Sequence, residues 1–246
     1  TFDNGMICAS EQSVVCLDEV YDKVRQEFLW RGAWFADKEQ AEALCGVIFK
    51  NGKVNSAIVG QPAYKIAAMA GITLPEFVKV LIAERDEVRP DDPFGHEKLS
   101  PVLGMYRVPD FTAALDTAKR LILQGGAGHT SVLYTDESKR DRIDVFEEVM
   151  PTGRTLVNMP ASQGAIGDVF NFRVAPSLTL GCGSWGGNSV SENIGVKHLM
   201  NIKTVAARRE NMLWFKVPRR IYFKLGSLRP ALEEYKDKKR AVIVTD

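Results

Sequence analysis

Two cysteines and one histidine have the residue types and surroundings that covalent chemistry requires. Cys8 and Cys182 each lie among glycine and small polar residues, and His129 lies in the sequence GHTS at residues 128–131. A nucleophilic cysteine needs access to its substrate, stabilisation of its thiolate and donors for the oxyanion of the adduct. Imidazole can act as an acid or a base near neutral pH. Composition alone leaves two alternatives open: a buried structural cysteine at position 8 and a hydrogen-bonded histidine at a strand end.

The other two cysteines are predicted to be inert. Cys16 lies in the apolar run VVCL and Cys45 in a helical pattern, positions that usually hold small buried side chains. A free thiol with a pKa of about 8.5 is mostly protonated at pH 7, so a reactive cysteine needs backbone amides or a base beside it. The sequence has no Cys-x-x-Cys pair and no cysteine and histidine cluster at zinc-ligand spacing, so no metal site is expected.

Charge and hydropathy exclude several kinds of partner. The chain has 32 Lys and Arg residues against 31 Asp and Glu residues, a formal net charge of +1, so neither nucleic acid nor an anionic membrane is an expected partner. No apolar run approaches the roughly 18 residues needed to cross a bilayer, and residues 1–5 lack a basic start followed by an apolar run. We therefore expect a cytoplasmic protein.

Short apolar runs alternate with amphipathic segments, which predicts an α/β fold with a mostly parallel sheet and flanking helices. Helices are predicted to begin at Asp18, Asp37, Pro62 and Asp110, and the last of these has a continuous apolar stripe that ends at Gly125. The glycine-rich and serine-rich region 158–197 is predicted to be a long ordered loop. The predicted strands are 13–17, 57–59, 78–82, 102–108, 130–134, 155–158, 221–224 and 241–245.

The segment FDNGMICASEQ at residues 2–12 resembles the catalytic-thiol motif of the aldehyde dehydrogenase superfamily. It is most similar to that motif in the bifunctional aldehyde–alcohol dehydrogenases, and the resemblance covers almost the whole chain. It implies an aldehyde dehydrogenase-like catalytic domain with an extended oligomerisation strand. The other segments that carry it are GQPAYKIA at 60–67, HEKLSP at 96–101, GHTS at 128–131, PASQGAIG at 160–167, APSLTLGCGSWGGNSVS at 175–191 and ENMLW at 210–214.

The resemblance implies a role for four residues. Cys8 matches the nucleophile that forms a thiohemiacetal or thioester, and His129 matches the proposed acid or base of the acylating enzymes. Glu97 matches the carboxylate that holds the nicotinamide ribose, with a surface carboxylate as the alternative, and Leu99 matches the apolar residue beside the nicotinamide. Cys182 has no counterpart with a chemical role and is predicted to be structural.

The activity that the resemblance implies is a fermentative one: the NADH-dependent reduction of acetyl-CoA, or another short acyl-CoA, to the aldehyde. NAD is then the cofactor, and CoA is part of the substrate. His129 and the WGGN sequence at residues 185–188 favour acylating over hydrolytic chemistry. Because the family's nucleotide-binding region and a second oxyanion donor belong upstream of Cys8, we expect the chain alone to bind NAD poorly and turn over little.

The predicted organisation has three parts. Residues 1–217 form the thiol-bearing part of the catalytic domain, residues 218–230 an oligomerisation strand, and residues 231–246 a linker and the first strand of a following alcohol dehydrogenase domain. Iron is expected only in that downstream domain, which is absent from this chain. The family also implies a homo-oligomer, a dimer or a filament. The alternative functions are an assembly module and a single-function acylating enzyme of the propionaldehyde type.

Overall fold

The computed structural model describes residues 2–167, 173–207 and 220–240. The chain divides into two compact units, Thr1–Met200 and Asn201–Asp246. Within the described residues of the first unit the strands are β1 Ser13–Leu17, β2 Ala33–Ala36, β3 Phe49–Lys50, β4 Lys53–Val54, β5 Val80–Arg85, β6 Val102–Val108, β7 Gly128–Leu133 and β8 Thr152–Val157. The α-helices are α1 Asp18–Trp30, α2 Lys38–Ile48, α3 Ala63–Met69, α4 Phe111–Gly125, α5 Arg140–Val149 and α6 Ala161–Ala165.

The larger sheet has four parallel strands in the order β1-β6-β5-β2. Val15 pairs with Tyr106 across β1 and β6, and Ile82 pairs with Leu103 across β5 and β6. Parallel strands need crossover connections that cover the sheet faces, so both faces are expected to be buried. The α/β class with a mostly parallel sheet and flanking helices, as predicted from the sequence, is confirmed.

Alternate residues of β5 pack on opposite faces of this sheet. Leu81 and Ala83 join a cluster with residues of α2 and α3, whereas Val80 and Ile82 join a cluster with Tyr21 of α1. The side chains of a strand alternate between the two faces, which accounts for the division. Burying Ile82 completely contributes about 1.5–3 kcal/mol to the free energy of unfolding. The buried Cys16 lies in the second of these clusters, as predicted for an inert thiol.

Helix starts follow the sequence signals closely. The Asp37 side chain accepts a hydrogen bond from the Gln40 backbone N–H in a capping box, and the Asp110 side chain accepts one from the Ala113 N–H. Asp18 is not the capping residue, as predicted, but the first residue of α1, where its carboxylate pairs with Arg107. An acidic side chain in the first turn stabilises a helix, because its negative charge interacts favourably with the positive end of the helix dipole.

The second sheet is the parallel pair β7 and β8, in which Ser131 lies opposite Thr155. Helix α4 connects β6 of the larger sheet to β7, and α6 follows β8. Both ends of this small sheet lie at the candidate site. Strand β7 begins with Gly128 and His129, and α6 contacts residues 2–12, here called the thiol segment. The region after residue 158 has mostly irregular structure in its described part, as predicted.

Some predicted elements are wrong. The predicted strand at 57–59 is part of a 3-10 turn, Ser56–Ile58, because the Asn55 side chain accepts a hydrogen bond from the Ala57 N–H and turns the backbone. The predicted strand at 78–82 begins at Val80, after a turn in which the Val78 N–H donates to the Pro75 carbonyl. Strand β2 and helix α5 were not predicted.

The second unit, Asn201–Asp246, is mostly irregular in its described residues. Its described residues contain one α-helix, α7 Leu228–Glu233, and residues 221–224 do not form the predicted strand. A strand needs a neighbour to take its backbone hydrogen bonds, and none pairs with these residues in the described part of this unit. The predicted strand at 241–245 lies outside the described residues. No described helix combines the length and the apolar character that crossing a membrane would require.

Candidate active site

The thiol segment begins with a tight left-handed turn against two other loops. Asn4 has a φ of 50° and Gly5 a φ of 74°, and a Cβ on Gly5 would lie only 2.6 Å from the Ser100 carbonyl oxygen. Only glycine fits that contact without displacing backbone. The Asn4 side-chain amide donates to the Gly60 carbonyl (3.1 Å), and the Gly60 N–H donates to the Leu99 carbonyl (3.0 Å). The motifs at 2–12, 60–67 and 96–101 therefore meet.

The other side of the thiol segment contacts the small sheet and α6. Ala9 is buried in a cluster with Leu156 and Ala165, against which Ile7 also packs. The Ala161 backbone N–H donates a 2.9 Å hydrogen bond to Glu11 Oε1. Cys8 therefore lies between the loops of the larger sheet and the smaller sheet, and its side chain is exposed to solvent.

The Cys8 sulfur is a thiol at rest. Partial burial raises the pKa of Cys8 above its ordinary value of 9.0, and the charge of Glu97 raises it further. The backbone N–H groups of Ala9 and of Cys8 itself act in the opposite direction, since they stabilise the thiolate. The expected bias towards the thiolate is therefore not present in this structure. The sulfur must lose its proton when a substrate arrives.

Glu97 is half-buried and lies close enough to Cys8 for its charge to act on the sulfur. Burial raises the pKa of Glu97, against the lowering effect of Lys98. Within the described parts of the chain, no hydrogen-bond donor contacts the Glu97 carboxylate. Leu99 is also half-buried and has a φ of 48°, a conformation that costs a non-glycine residue on the order of 1 kcal/mol. The loop therefore places the Glu97 carboxylate, which has no hydrogen-bond donor among the described residues, next to Leu99, an apolar residue with a strained backbone.

His129 is the second residue of β7 and is partly buried. Its Nδ1 lies 2.9 Å from Thr130 Oγ1. Burial, followed by the positive charge of Arg154, lowers the pKa of His129 to about 4. The imidazole is therefore neutral at pH 7, because its pKa lies well below that of an unperturbed histidine. No hydrogen bond joins His129 to Cys8 among the described side chains.

Arg154 is a residue of the site that the sequence did not single out. It is 5% exposed on β8, and its Nη2 donates to the carbonyls of His129 (2.9 Å) and Gly181 (2.8 Å). No carboxylate contacts it in the part of the chain that the structure describes. Thr152, Arg154 and Leu156 all face inward on β8. A lone arginine on the buried face of a strand was the missed signal, because the predicted strand, 155–158, began three residues after the observed start at Thr152.

Arg154 also links Cys182 to the site. Burial lowers the pKa of Arg154, against the raising effects of the nearby Cys182 and Cys8 sulfurs. The Cys182 backbone N–H donates to Asn188 Oδ1 (2.9 Å), which closes the loop. Gly128 packs so tightly on this loop that a Cβ there would lie 1.8 Å from the Cys182 carbonyl oxygen. The structure thus brings Cys8, Glu97, Arg154 and Cys182 together, and His129 joins them through Arg154.

The described residues contain no group of three or more His, Cys, Asp and Glu side chains arranged to hold a metal ion. The ionisable groups at the site are instead two thiols, one carboxylate, one neutral imidazole and one guanidinium. Such a set suits nucleophilic chemistry on a carbonyl group, with the thiol as nucleophile and the imidazole as proton acceptor.

Replacing the Arg154 charge is expected to raise the pKa of His129. In Arg154→Gln the lowering charge is lost but the burial remains, so the pKa of His129 should rise from about 4 and stay below its ordinary 6.5. The pH dependence of diethyl pyrocarbonate modification at His129, read by peptide mass spectrometry, measures this shift. Arg140→Gln, at the exposed start of α5, is the matched control. An unchanged profile in Arg154→Gln would contradict the electrostatic link.

No protein-family model matches the chain. An aldehyde-alcohol dehydrogenase of Clostridium acetobutylicum is 59% identical over all of this chain and 29% of its own length. A bifunctional aldehyde-alcohol dehydrogenase of Escherichia coli K12 is 58% identical over all of this chain and 28% of its own length. The chain thus spans less than a third of the length of these curated relatives.

A solved structure agrees with the sequence relatives. An acetylating aldehyde dehydrogenase from Geobacillus thermoglucosidasius superposes with a TM-score of 0.81 at 41% identity, covering 87% of this chain and 47% of that one. The aldehyde-alcohol dehydrogenases match the whole chain, so a single-function enzyme is the less favoured alternative. Over its whole length the chain is similar to part of the bifunctional aldehyde-alcohol dehydrogenases, and its fold is similar to that of an acetylating aldehyde dehydrogenase.

Proposed function

We propose that this chain is the thiol-bearing part of a CoA-acylating aldehyde dehydrogenase within a bifunctional enzyme, acting on acetyl-CoA or another short acyl-CoA. The observation that carries the proposal is the solvent-accessible Cys8 thiol, set where the charges of Glu97 and Arg154 both reach it. The relatives that match the whole chain are named aldehyde-alcohol dehydrogenases, which supports the same reaction class.

In the acylation step, Cys8 Sγ attacks the thioester carbonyl carbon of the acyl-CoA. A new bond forms between that carbon and Sγ, the bond from the carbon to the CoA sulfur breaks, and the thiol proton passes to the CoA sulfur. The backbone N–H groups of Cys8 and Ala9 interact with the sulfur and are the donors proposed for the developing oxyanion. The products are a Cys8 thioester and free CoA.

His129 is the group proposed to carry the proton between the two sulfurs. Its pKa of about 4 leaves the imidazole unprotonated at neutral pH, so a ring nitrogen can accept the proton whenever substrate is bound. The same low pKa means that the imidazolium is short-lived and releases the proton readily to the departing CoA. A resting thiol and a neutral base keep the site uncharged at these two positions until the acyl group arrives.

Glu97 and Leu99 fit a bound NAD. The half-buried Glu97 carboxylate, which has no donor among the described residues, suits the hydroxyl groups of a ribose, and the apolar Leu99 suits a nicotinamide ring. When bound, NADH supplies the hydride that reduces the acyl group to the aldehyde.

We assign the protein to the cytoplasm. Iron belongs to a separate alcohol dehydrogenase domain.

Cys8→Ser is expected to lower acyl-CoA reduction by a factor on the order of 10³ or more, because the hydroxyl is a far weaker nucleophile at this pH. Cys45→Ser, in α2, is the control and should retain activity. In the unsubstituted protein, alkylation of Cys8 by iodoacetamide should accelerate as pH rises through 9, since the pKa of Cys8 is raised above 9.0. Full activity in Cys8→Ser would refute the assignment.

His129→Ala is expected to slow acyl transfer between Cys8 and CoA by about 10²–10⁴-fold, the usual range for a general acid or base. The exchange of labelled CoA into acetyl-CoA without NADH isolates this step, and His198→Ala is the control. In the unsubstituted protein, the exchange rate should show no inflection near pH 6.5, where an ordinary histidine ionises. Exchange at the original rate in His129→Ala would remove His129 from the mechanism.

Assembly is a second proposed function, located in residues 218–230. Ile221 is 56% exposed and Phe223 is 78% exposed, and residues 221–223 belong to no strand in the described part of their unit. Exposed apolar residues on a segment outside any helix or strand favour pairing with a second copy of the chain. We propose that this segment becomes the oligomerisation strand only in a dimer or filament.

Phe223→Asp is expected to shift the protein towards monomers, because a charge placed in an apolar strand interface must lose its hydration. Sedimentation velocity measures the change in mass. Tyr235→Asp is the matched control, since Tyr235 is an exposed aromatic residue of the same unit that lies beyond α7. The same distribution of masses in Phe223→Asp and in the unsubstituted protein would argue against assembly through this segment.

A further inference from the structure

Lys98 is a fully buried lysine between the two residues proposed to hold NAD. Its ammonium donates hydrogen bonds to three backbone carbonyls: those of Gln12 (3.1 Å), Phe94 (2.8 Å) and His96 (2.6 Å). An ammonium group has three donors and no acceptor, so these carbonyls satisfy it completely. A buried lysine is costly in the absence of such partners and is rare in protein interiors.

The three carbonyls belong to two different parts of the site. Gln12 ends the thiol segment, four residues after Cys8, whereas Phe94 and His96 precede Glu97. A fourth hydrogen bond strengthens the link, since the Lys98 backbone N–H donates to Gln12 Oε1 (2.9 Å). The Gln12 carbonyl also accepts from the Gly104 N–H of β6, which ties the junction to the larger sheet.

No carboxylate contacts the Lys98 ammonium among the described residues. Asp92, the nearest fully buried acid, is bonded to Arg85 at 2.6 Å, and both Asp92 and Glu97 act on Lys98 only through their charge. The amine is therefore not one partner of an ion pair. Its bonds all hold backbone, and a side chain bonded in this way fixes the loops that it joins.

We propose that Lys98 is a positioning residue, whose ammonium holds the turn carrying Glu97 in register with the thiol segment and is thereby required for tight NAD binding. The identity of the bound cofactor rests on the function proposed above. Lys98 itself does not touch the reacting atoms, because its side chain is fully enclosed by the loops that it connects.

The protonation state of Lys98 provides a distinctive readout. Burial lowers the pKa of Lys98 to about 7, against the raising effects of Asp92 and Glu97. The neutral amine has only two N–H donors, so one of the three carbonyls loses its partner as pH rises through 7. NAD binding should therefore weaken between pH 6 and 9. The pKa of His129 lies below that range, and Cys8 ionises mainly above it.

His96 is the other residue of this turn with a nitrogen-bearing side chain, an imidazole. Its ring Nε2 lies 2.8 Å from the Pro90 carbonyl oxygen. His96→Gln therefore separates a contribution of this ring from that of Lys98. Lys98→Arg keeps a positive charge throughout the range, and Lys98→Met removes the donors at similar size. Lys65→Met, an exposed lysine of α3, is the matched control.

The experiment measures KM for NAD⁺ and kcat in the full-length protein, from acetyl-CoA formed out of acetaldehyde, CoA and NAD⁺ at pH 6 to 9. Lys98→Met should raise KM for NAD⁺ about 10- to 100-fold, the effect of losing a charged hydrogen bond. The unsubstituted protein and His96→Gln should show KM rising with pH, whereas Lys98→Arg and Lys98→Met should not. Lys65→Met should behave as the unsubstituted protein.

Three results would overturn the proposal: a KM in Lys98→Met equal to that of the unsubstituted protein, a flat pH profile in the unsubstituted protein, or loss of the pH dependence in His96→Gln. If Lys98→Met does not fold, the pH profiles of KM for NAD⁺ in the unsubstituted protein, Lys98→Arg and His96→Gln test the proposal. Failure of the proposed function gives a different result, because no acetyl-CoA would then form in the unsubstituted protein at any pH, and that outcome contradicts both proposals together.

Discussion

The site depends on two buried cations that are satisfied by backbone carbonyls instead of carboxylates. Lys98 joins the thiol segment to the loop of Glu97, and Arg154 joins the start of β7 to the loop of Cys182. A buried charge that loses its hydrogen bonds costs several kcal/mol, so loops bonded in this way are strongly held. Four chain segments that are distant in sequence therefore meet around Cys8 with little freedom to separate.

Burial and two of the charged groups, Arg154 and Glu97, set the electrostatics of the reacting groups. Arg154 reinforces the burial that keeps His129 neutral, while partial burial and Glu97 keep Cys8 a thiol. The reactive pair thus carries no charge at rest. A protonated Cys8 protects the enzyme before substrate binds, because a permanent thiolate is open to oxidation and alkylation. The proton leaves the sulfur when the substrate carbonyl is in place.

Much of this fold is visible in the sequence, because periodicity and caps report local physics. The stripe after Asp110 and the capping residue Asp37 act within one or two helical turns, and both were predicted correctly. The four-residue strand β2 escaped prediction because its pairing with β5 is nonlocal. Cys8, Glu97 and Leu99 were identified through motifs. Arg154 was missed because the predicted strand began after it, at residue 155. Lys98 was missed because its bonds to backbone carbonyls depend on how distant loops meet. The low pKa of His129 depends on burial in the folded chain.

The proposed mechanism requires a covalent bond between the Cys8 sulfur and the acyl group. Incubating the full-length protein with acetyl-CoA in the absence of NADH, followed by quenching in acid and peptide mass spectrometry, tests it directly. We expect an acetyl group on the peptide that contains Cys8, removed by added CoA, and none on peptides that contain Cys45 or Cys182. An acetyl group on Cys182 alone, or on no cysteine, would contradict it.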